Sequence, residues 1–193
     1  MKERMSYEEL KQRLCDVSDY YDKCLFLLIY GTLAREGEIA RRRNKTRQGL
    51  KKQDIEVFED KIVVALMTEK TNIPRKVLIS RELEPWLTEP VVSYISFLKL
   101  DDELFPFSTR WAEKKFLKYF PEFDGKVDMH TIHYLRAWRA THLMQGRVTG
   151  QPIPSEVVMR MGGWRKKRML FQHYDHSITE DYEYLFKPKE GIK

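Results

Sequence analysis

The chain has 193 residues, with 35 basic against 29 acidic side chains and a formal net charge of +6. At 42% hydrophobic and 33% charged residues, the composition suits a globular domain with a real core and excludes a disordered chain. The longest apolar run, Cys24 to Tyr30, is far shorter than the roughly 20 residues a membrane helix needs. No cationic and apolar signal segment opens the chain, which predicts a reduced, intracellular protein. Cys15 and Cys24 make neither a disulfide framework nor a zinc motif.

The segment from Ser6 to Leu14 reads as a polar helix, with Glu8 and Glu9 where a helix start favours acids. A second helix runs from Asp19 through Tyr30. Its apolar residues wrap widely, so it is buried, and Gly31-Thr32 should break it. A further helix is expected from Ala34 toward Arg43. Period-two alternation then gives three short strands: Ile55 to Phe58, Ile62 to Met67 and Val77 to Ile79. Pro85 and Pro90 allow only short helical starts before a buried helix over Val91 to Leu98. Ser108 caps a helix over Thr109 to Tyr119. Others span His130 to Met144, Pro154 to Gly162-Gly163, and Thr179 to Phe186. There is no repeat, low-complexity tract or linker. The order implies a mostly helical α+β domain with a small three-stranded antiparallel sheet.

The charge is unevenly placed. Arg41, Arg42, Arg43, Lys45, Arg47, Lys51 and Lys52 form a +7 stretch without an acid. Arg160, Arg165, Lys166, Lys167 and Arg168 form a second acid-free run. Such concentration points to a polyanionic partner, against the plainer alternative of solvated basic loops.

Two histidine pairs, His130/His133 and His173/His176, are spaced i, i+3, so each pair would share a helix face. No cysteine or acidic cluster completes a metal motif around them. More informative is His133 with Arg136. One helix face then carries an imidazole and a guanidinium that could meet one phosphate, although His-x-x-Arg alone is a weak pattern.

Set with the rest of the chain, these residues resemble the tyrosine recombinases, the phage integrase family. Thr32-Leu33-Ala34-Arg35-Glu36-Gly37-Glu38-Ile39 is similar to that family's first arginine motif, in which an acid follows the arginine by three residues. Lys70 stands between the second and third strands, where the family has a hairpin lysine. His133-Tyr134-Leu135-Arg136, with Ala140-Thr141 and Leu143 downstream, matches the family's helical motif. Met161-Gly162-Gly163-Trp164 is similar to its glycine–tryptophan element, and His173-Tyr174-Asp175-His176 to its tyrosine motif. The resemblance covers Leu25 to His176. Trp164 and Tyr174 are ten residues apart where the family usually has nine. That puts one extra residue in the basic segment and keeps Tyr182 and Tyr184 as reserve nucleophiles. Gly37 is unusual inside the first motif, since glycine weakens helices.

The resemblance implies a DNA recombinase or integrase. Tyr174 would attack a phosphorus and leave a 3′-phosphotyrosyl link. Arg35 and Arg136 would neutralise the transition state. Lys70, ahead of its neighbours Arg75 and Lys76, would protonate the leaving 5′ oxygen, and His133 would help deprotonate the tyrosine. Trp164 would line the phosphate pocket and Glu38 would orient its neighbours. Arg41, Arg42, Arg43, Lys45, Arg47, Arg165, Lys166, Lys167 and Arg168 would contact the DNA backbone. No metal or other cofactor is implied. The partner would be double-stranded DNA, with a tetramer on DNA and a monomer free. Residues 1–193 would be one catalytic domain without the family's N-terminal DNA-binding domain. A relaxase of the type IB topoisomerase kind, and a DNA-binding module of this fold without catalysis, are the alternatives. A metal-dependent hydrolase built on the histidine pairs is a third.

Overall fold

A computed structural model describes residues 5–40, 49–68, 72–125 and 132–173, with residues 172 and 173 described by backbone alone. The chain opens with α1 (Tyr7–Cys15), whose start is closed by the Ser6 hydroxyl accepting from the Glu9 amide at 3.2 Å. α2 (Tyr20–Thr32) is capped by Asp19, which accepts from the Tyr21 and Asp22 amides at 3.0 Å. Every residue from Cys24 to Thr32 is buried, so α2 is the central rod of the molecule. Gly31 does not break it. A Cβ at Gly31 would lie 2.7 Å from Ile79 Cδ1 and 3.1 Å from Leu87. The glycine therefore lets α2 approach its neighbours, and the helix ends two residues later at the left-handed Leu33 (φ 54°).

The next helix is shorter than expected. α3 is one turn, Glu36–Ile39, and Ala40 is already extended (φ −94°, ψ 158°). The Ile39 carbonyl is taken instead by the Leu50 amide at 3.0 Å. Strands β1 (Ile55–Val57), β2 (Lys61–Met67) and β3 (Pro74–Ser80) form the expected antiparallel meander in the order β1-β2-β3. Val64 pairs with both Ile55 and Val77, and Leu66 pairs with Arg75. Ile62, Val64, Leu66, Val77 and Ile79 face the core, as the two-residue period requires.

α4 (Pro85–Ser96) is one continuous helix that contains Pro90. Proline removes one backbone donor, but Leu87, Val91 and Ile95 bury a common face, and that packing holds the helix together. α5 (Thr109–Tyr119) is capped by Ser108 as expected. It supplies Phe116 to an aromatic cluster in which Phe116 stacks on Phe120 at 4.5 Å. Phe26 of α2 meets that pair edge-on, and Trp138 lies 6.2 Å from Phe120. α6 (His133–Met144) packs on α2, and α7 (Ser155–Gly162) follows. α8 (Lys167–His173) begins inside the second basic run, where no helix was expected. The expected helix over Thr179 to Phe186 lies outside the described residues.

A polar cluster sits within this core. Both guanidinium ends of Arg139 on α6 donate to the Glu84 carboxylate at the start of α4, at 2.5 and 2.6 Å. Both side chains are 2% exposed. The Tyr30 ring lies 5.0 Å from that guanidinium. The Tyr30 hydroxyl donates to His142 Nδ1 at 3.0 Å, and His142 Nε2 donates to the Met5 carbonyl at 2.9 Å. Burial pushes the Tyr30 pKa far up, which keeps that hydroxyl a donor.

Removing one partner of a buried ion pair leaves the other charge uncompensated, at a cost of about 3–5 kcal/mol. Glu84→Gln keeps the shape and removes the charge. It should lower unfolding stability by about 3 kcal/mol in urea titration. A loss below about 1 kcal/mol, the level of an exposed pair, would contradict this.

Candidate active site

The site is built around the single turn of α3. Arg35 precedes it in extended conformation (φ −76°, ψ 151°) and acts as its cap residue. Glu38, three residues on, turns back and accepts from the Arg35 amide at 3.0 Å, the geometry that closes a helix start. The other Glu38 oxygen lies 3.3 Å from Arg35 Nη1. The arginine-to-acid spacing thus fixes where the Arg35 guanidinium goes. Gly37 is buried within the turn.

A second arginine joins them. Arg75 Nη2 donates to Glu38 Oε2 at 2.6 Å, and Arg75 Nε donates to the Met161 carbonyl at 2.8 Å. Its side chain is 7% exposed. In sequence Arg75 is only a neighbour of Lys70. The signal that could have found it is strand period: Arg75, Val77 and Ile79 alternate onto the inner face of β3.

Arg136 comes from α6. It is fully buried, and its Nη2 donates to the Gly162 carbonyl. Its guanidinium lies 4.2 Å from the centre of the Trp164 ring, a distance suited to cation–π attraction. Two glycines make this possible. A Cβ at Gly162 would sit 2.0 Å from the Trp164 ring, so only glycine lets the indole fold back over the end of α7. Gly163 is left-handed (φ 67°), and a Cβ there would lie 2.8 Å from Thr68 Cγ2. The glycine pair therefore lies against the base of the β2–β3 hairpin, where Thr68 and Ile73 exchange backbone and hydroxyl hydrogen bonds.

His133 opens α6. Its Nδ1 lies 3.1 Å from Glu36 Oε2, with both side chains 12% exposed. The chain thus gathers Arg35, Glu38, His133, Arg136 and Trp164 into one region from three separate stretches of sequence, and adds Glu36 and Arg75. Lys70, Tyr174, Tyr182 and Tyr184 lie outside the described residues, as do Arg41, Arg42, Arg43, Lys45 and Arg47. The two cations beside Lys70 are engaged elsewhere: Arg75 as described, and Lys76 with Glu56 at 2.9 Å.

In the second basic run, Arg160, Arg165, Lys166, Lys167 and Arg168 are all exposed. Lys167 also pairs with Glu156 at 2.9 Å and holds that carboxyl down to about 2. Lys52 donates to the Leu98 carbonyl, and Lys51 caps a short 3₁₀ turn. Among the described residues no group of three or more His, Cys, Asp or Glu could hold a metal. His130 and His176 lie outside them. No described helix is long and apolar enough to cross a membrane.

Chemically, three guanidiniums stand around one buried carboxylate, and a carboxylate-held imidazole stands at the end of α6. An excess of fork-shaped donors over acids suits a phosphate.

A family model described as the phage integrase family matches residues 3–181. The fold is also that of solved recombinase structures. XerA recombinase is 18% identical with a TM-score of 0.68, over 96% of this chain and 64% of that one. XerH recombinase bound to its difH substrate, in a pre-cleavage complex, is 18% identical with a TM-score of 0.62, over 98% of this chain and 55% of that one. The catalytic domain of bacteriophage HP1 integrase is 21% identical with a TM-score of 0.56, over the whole of both chains. This chain thus spans less than two thirds of the two Xer proteins. No curated protein matches it in sequence.

Burial acts to raise the Glu38 pKa. The Arg75 charge and hydrogen bond, the Arg136 charge and the Arg35 amide outweigh it and hold the carboxyl below its ordinary value. A carboxyl lowered on folding contributes stability that is complete above the unfolded value of about 4.3 and is lost as pH falls through the folded one. The stability gap between the native chain and Glu38→Gln should therefore be widest near neutrality. It should shrink below about pH 4. Thermal unfolding of both proteins across that range checks this, and a constant gap would count against the charge network.

Proposed function

The chain belongs to the phage integrase family, the tyrosine recombinases, and from that premise we propose that it cuts and rejoins double-stranded DNA at specific sites through a 3′-phosphotyrosyl intermediate. The observation that carries the reading is the meeting of Arg35 with Glu38, whose carboxyl also feels the Arg136 charge, beside the Gly162-Gly163-Trp164 turn that Arg136 contacts. Residues a hundred positions apart in sequence form one guanidinium cluster. The XerH structure, solved with its difH substrate, supports DNA as the partner.

In this reading the Tyr174 oxygen attacks the scissile phosphorus. An O–P bond to tyrosine forms while the bond to the 5′ oxygen breaks. His133 takes the tyrosine proton, and Lys70 gives one to the departing oxygen. Arg35 and Arg136 bind the non-bridging oxygens, where negative charge gathers in the transition state. Trp164 packs against Arg136 and bounds the pocket. Glu38 holds the arginines and does not react. The phosphotyrosine retains the bond energy, so rejoining needs no ATP, and the guanidiniums supply the charge a metal would otherwise supply. Arg41, Arg42, Arg43, Lys45 and Arg47, with Arg165, Lys166, Lys167 and Arg168, bind the DNA backbone. Residues 1–193 act as the catalytic domain, free as a monomer and tetrameric on DNA.

Incubation with a nicked suicide substrate in EDTA should give a covalent protein–DNA adduct on a denaturing gel. Tyr174→Phe should abolish it with the fold intact. An adduct that survives this substitution would move the nucleophile to Tyr182 or Tyr184. No adduct at all would reduce the chain to a DNA-binding module. DNA affinity should also fall steeply with salt, since each released phosphate contact contributes about −0.9 to the slope of log K against log salt. Replacing Arg41, Arg42 and Arg43 with glutamine should flatten that slope by about 2–3. An unchanged slope would remove them from the interface.

A further inference from the structure

Glu38 accounts for the arginines, but it is not the acid beside the histidine. We propose that Glu36 is a positioning residue for His133, holding the imidazole through Nδ1 and leaving Nε2 for the proton of the attacking hydroxyl. This rests on the reading of the chain as a tyrosine recombinase.

The two side chains come from elements 97 residues apart. Glu36 is the first residue of α3 and His133 the first residue of α6. Glu36 Oε2 and His133 Nδ1 are 3.1 Å apart, in a setting where each side chain is only 12% exposed. An ionised carboxylate can only accept, so its approach favours the tautomer with the hydrogen on the nitrogen that faces it. In the neutral ring that places the lone pair on Nε2, the form a base requires. A second nitrogen fixed by a carboxylate is also how a histidine base is kept from rotating out of line.

The charged neighbourhood gives this acid a role. Among the described residues, Arg35 and Glu38 lie at α3 beside Glu36, Arg75 reaches Glu38 from β3, and Arg136 lies one turn along α6 from His133. Glu38 is already committed to the Arg35 amide, the Arg35 guanidinium and Arg75. Three guanidiniums with that one acid disfavour a proton arriving on the imidazole. The Glu36 charge opposes them at the ring itself. Two acids two residues apart, about 200° around the helix, thus divide the work: Glu38 holds the cations that bind phosphate, and Glu36 holds the base. The proton leaving the tyrosine then arrives on Nε2 of a ring whose other nitrogen already faces a carboxylate 3.1 Å away, as the O–P bond forms and the bond to the 5′ oxygen breaks.

The test uses the full chain without DNA first. The imidazole C2 proton of His133 is assigned by its loss in His133→Asn and followed by NMR against pH. An opposite charge within about 4–6 Å favours the protonated ring, so in Glu36→Gln the titration midpoint should move down by about one pH unit. Glu36→Ala, which removes the carboxylate by truncation, should move it in the same direction. Adduct formation on the suicide substrate should then show its acid limb displaced downward by a similar amount, with DNA affinity changed less than about twofold. A midpoint that stays in place in both variants overturns the pairing. A midpoint that moves while the acid limb stays overturns the role in base positioning. If the native chain forms no adduct, the recombinase reading fails by itself, and the titration still decides whether Glu36 holds His133.

Discussion

The buried Glu38 carboxylate is the constraint on which the rest of the site depends. A lone buried carboxylate is expensive. Here it is surrounded by the Arg35 amide, the Arg35 guanidinium and Arg75, with the Arg136 charge also acting on it. The reverse is equally important. Guanidiniums from three elements would repel one another at such burial, and one acid offsets that repulsion. Arg75 extends the arrangement by donating to the Met161 carbonyl. The α7 terminus, the hairpin and α3 are therefore tied through a single side chain. The positions of Gly162, Gly163 and Trp164 follow from that tie.

Helix α6 serves two purposes with one spacing. His133, Arg136, Arg139 and His142 recur at every third position. A helix with 3.6 residues per turn rotates such a series back by about 60° at each step. The first two residues therefore reach Glu36 and the Gly162–Trp164 turn. The last two have rotated to the far side, where they meet Glu84, Tyr30 and the Met5 carbonyl. Read linearly, the four look like one stripe. In the fold, two belong to the candidate site and two to the polar centre of the core that anchors the helix carrying it.

Where the sequence reading departed from the structure, long-range packing was the cause. Gly31 looks like a helix breaker by propensity, yet it marks the place where α2 must meet Ile79 and Leu87 closely. Pro90 looks like a boundary, yet the face made by Leu87, Val91 and Ile95 carries the helix through it. The helix expected to run from Ala34 to Arg43 is stopped at Ile39, because Leu50 claims the carbonyl that would have continued it. The start of α8 within a run of four cations is a similar case, since Leu170 is buried and Lys167 is paired with Glu156.

By itself the sequence determined a mostly helical chain with three antiparallel strands and the cap at Ser108, and it marked Arg35, Glu38, His133, Arg136 and Trp164 as candidates through their resemblance to the family's motifs. The elements rest on short-range properties, periodicity and capping chemistry, and the candidates on short motifs of a few residues each. Only the tertiary structure decided that Arg75 faces inward to Glu38, that Glu36 rather than Glu38 meets His133, and that the glycine pair brings the indole over Arg136. Those pairings join residues tens to a hundred positions apart. A pairing at such range is set by how helices and sheet close on one another, and no local pattern in the chain encodes it.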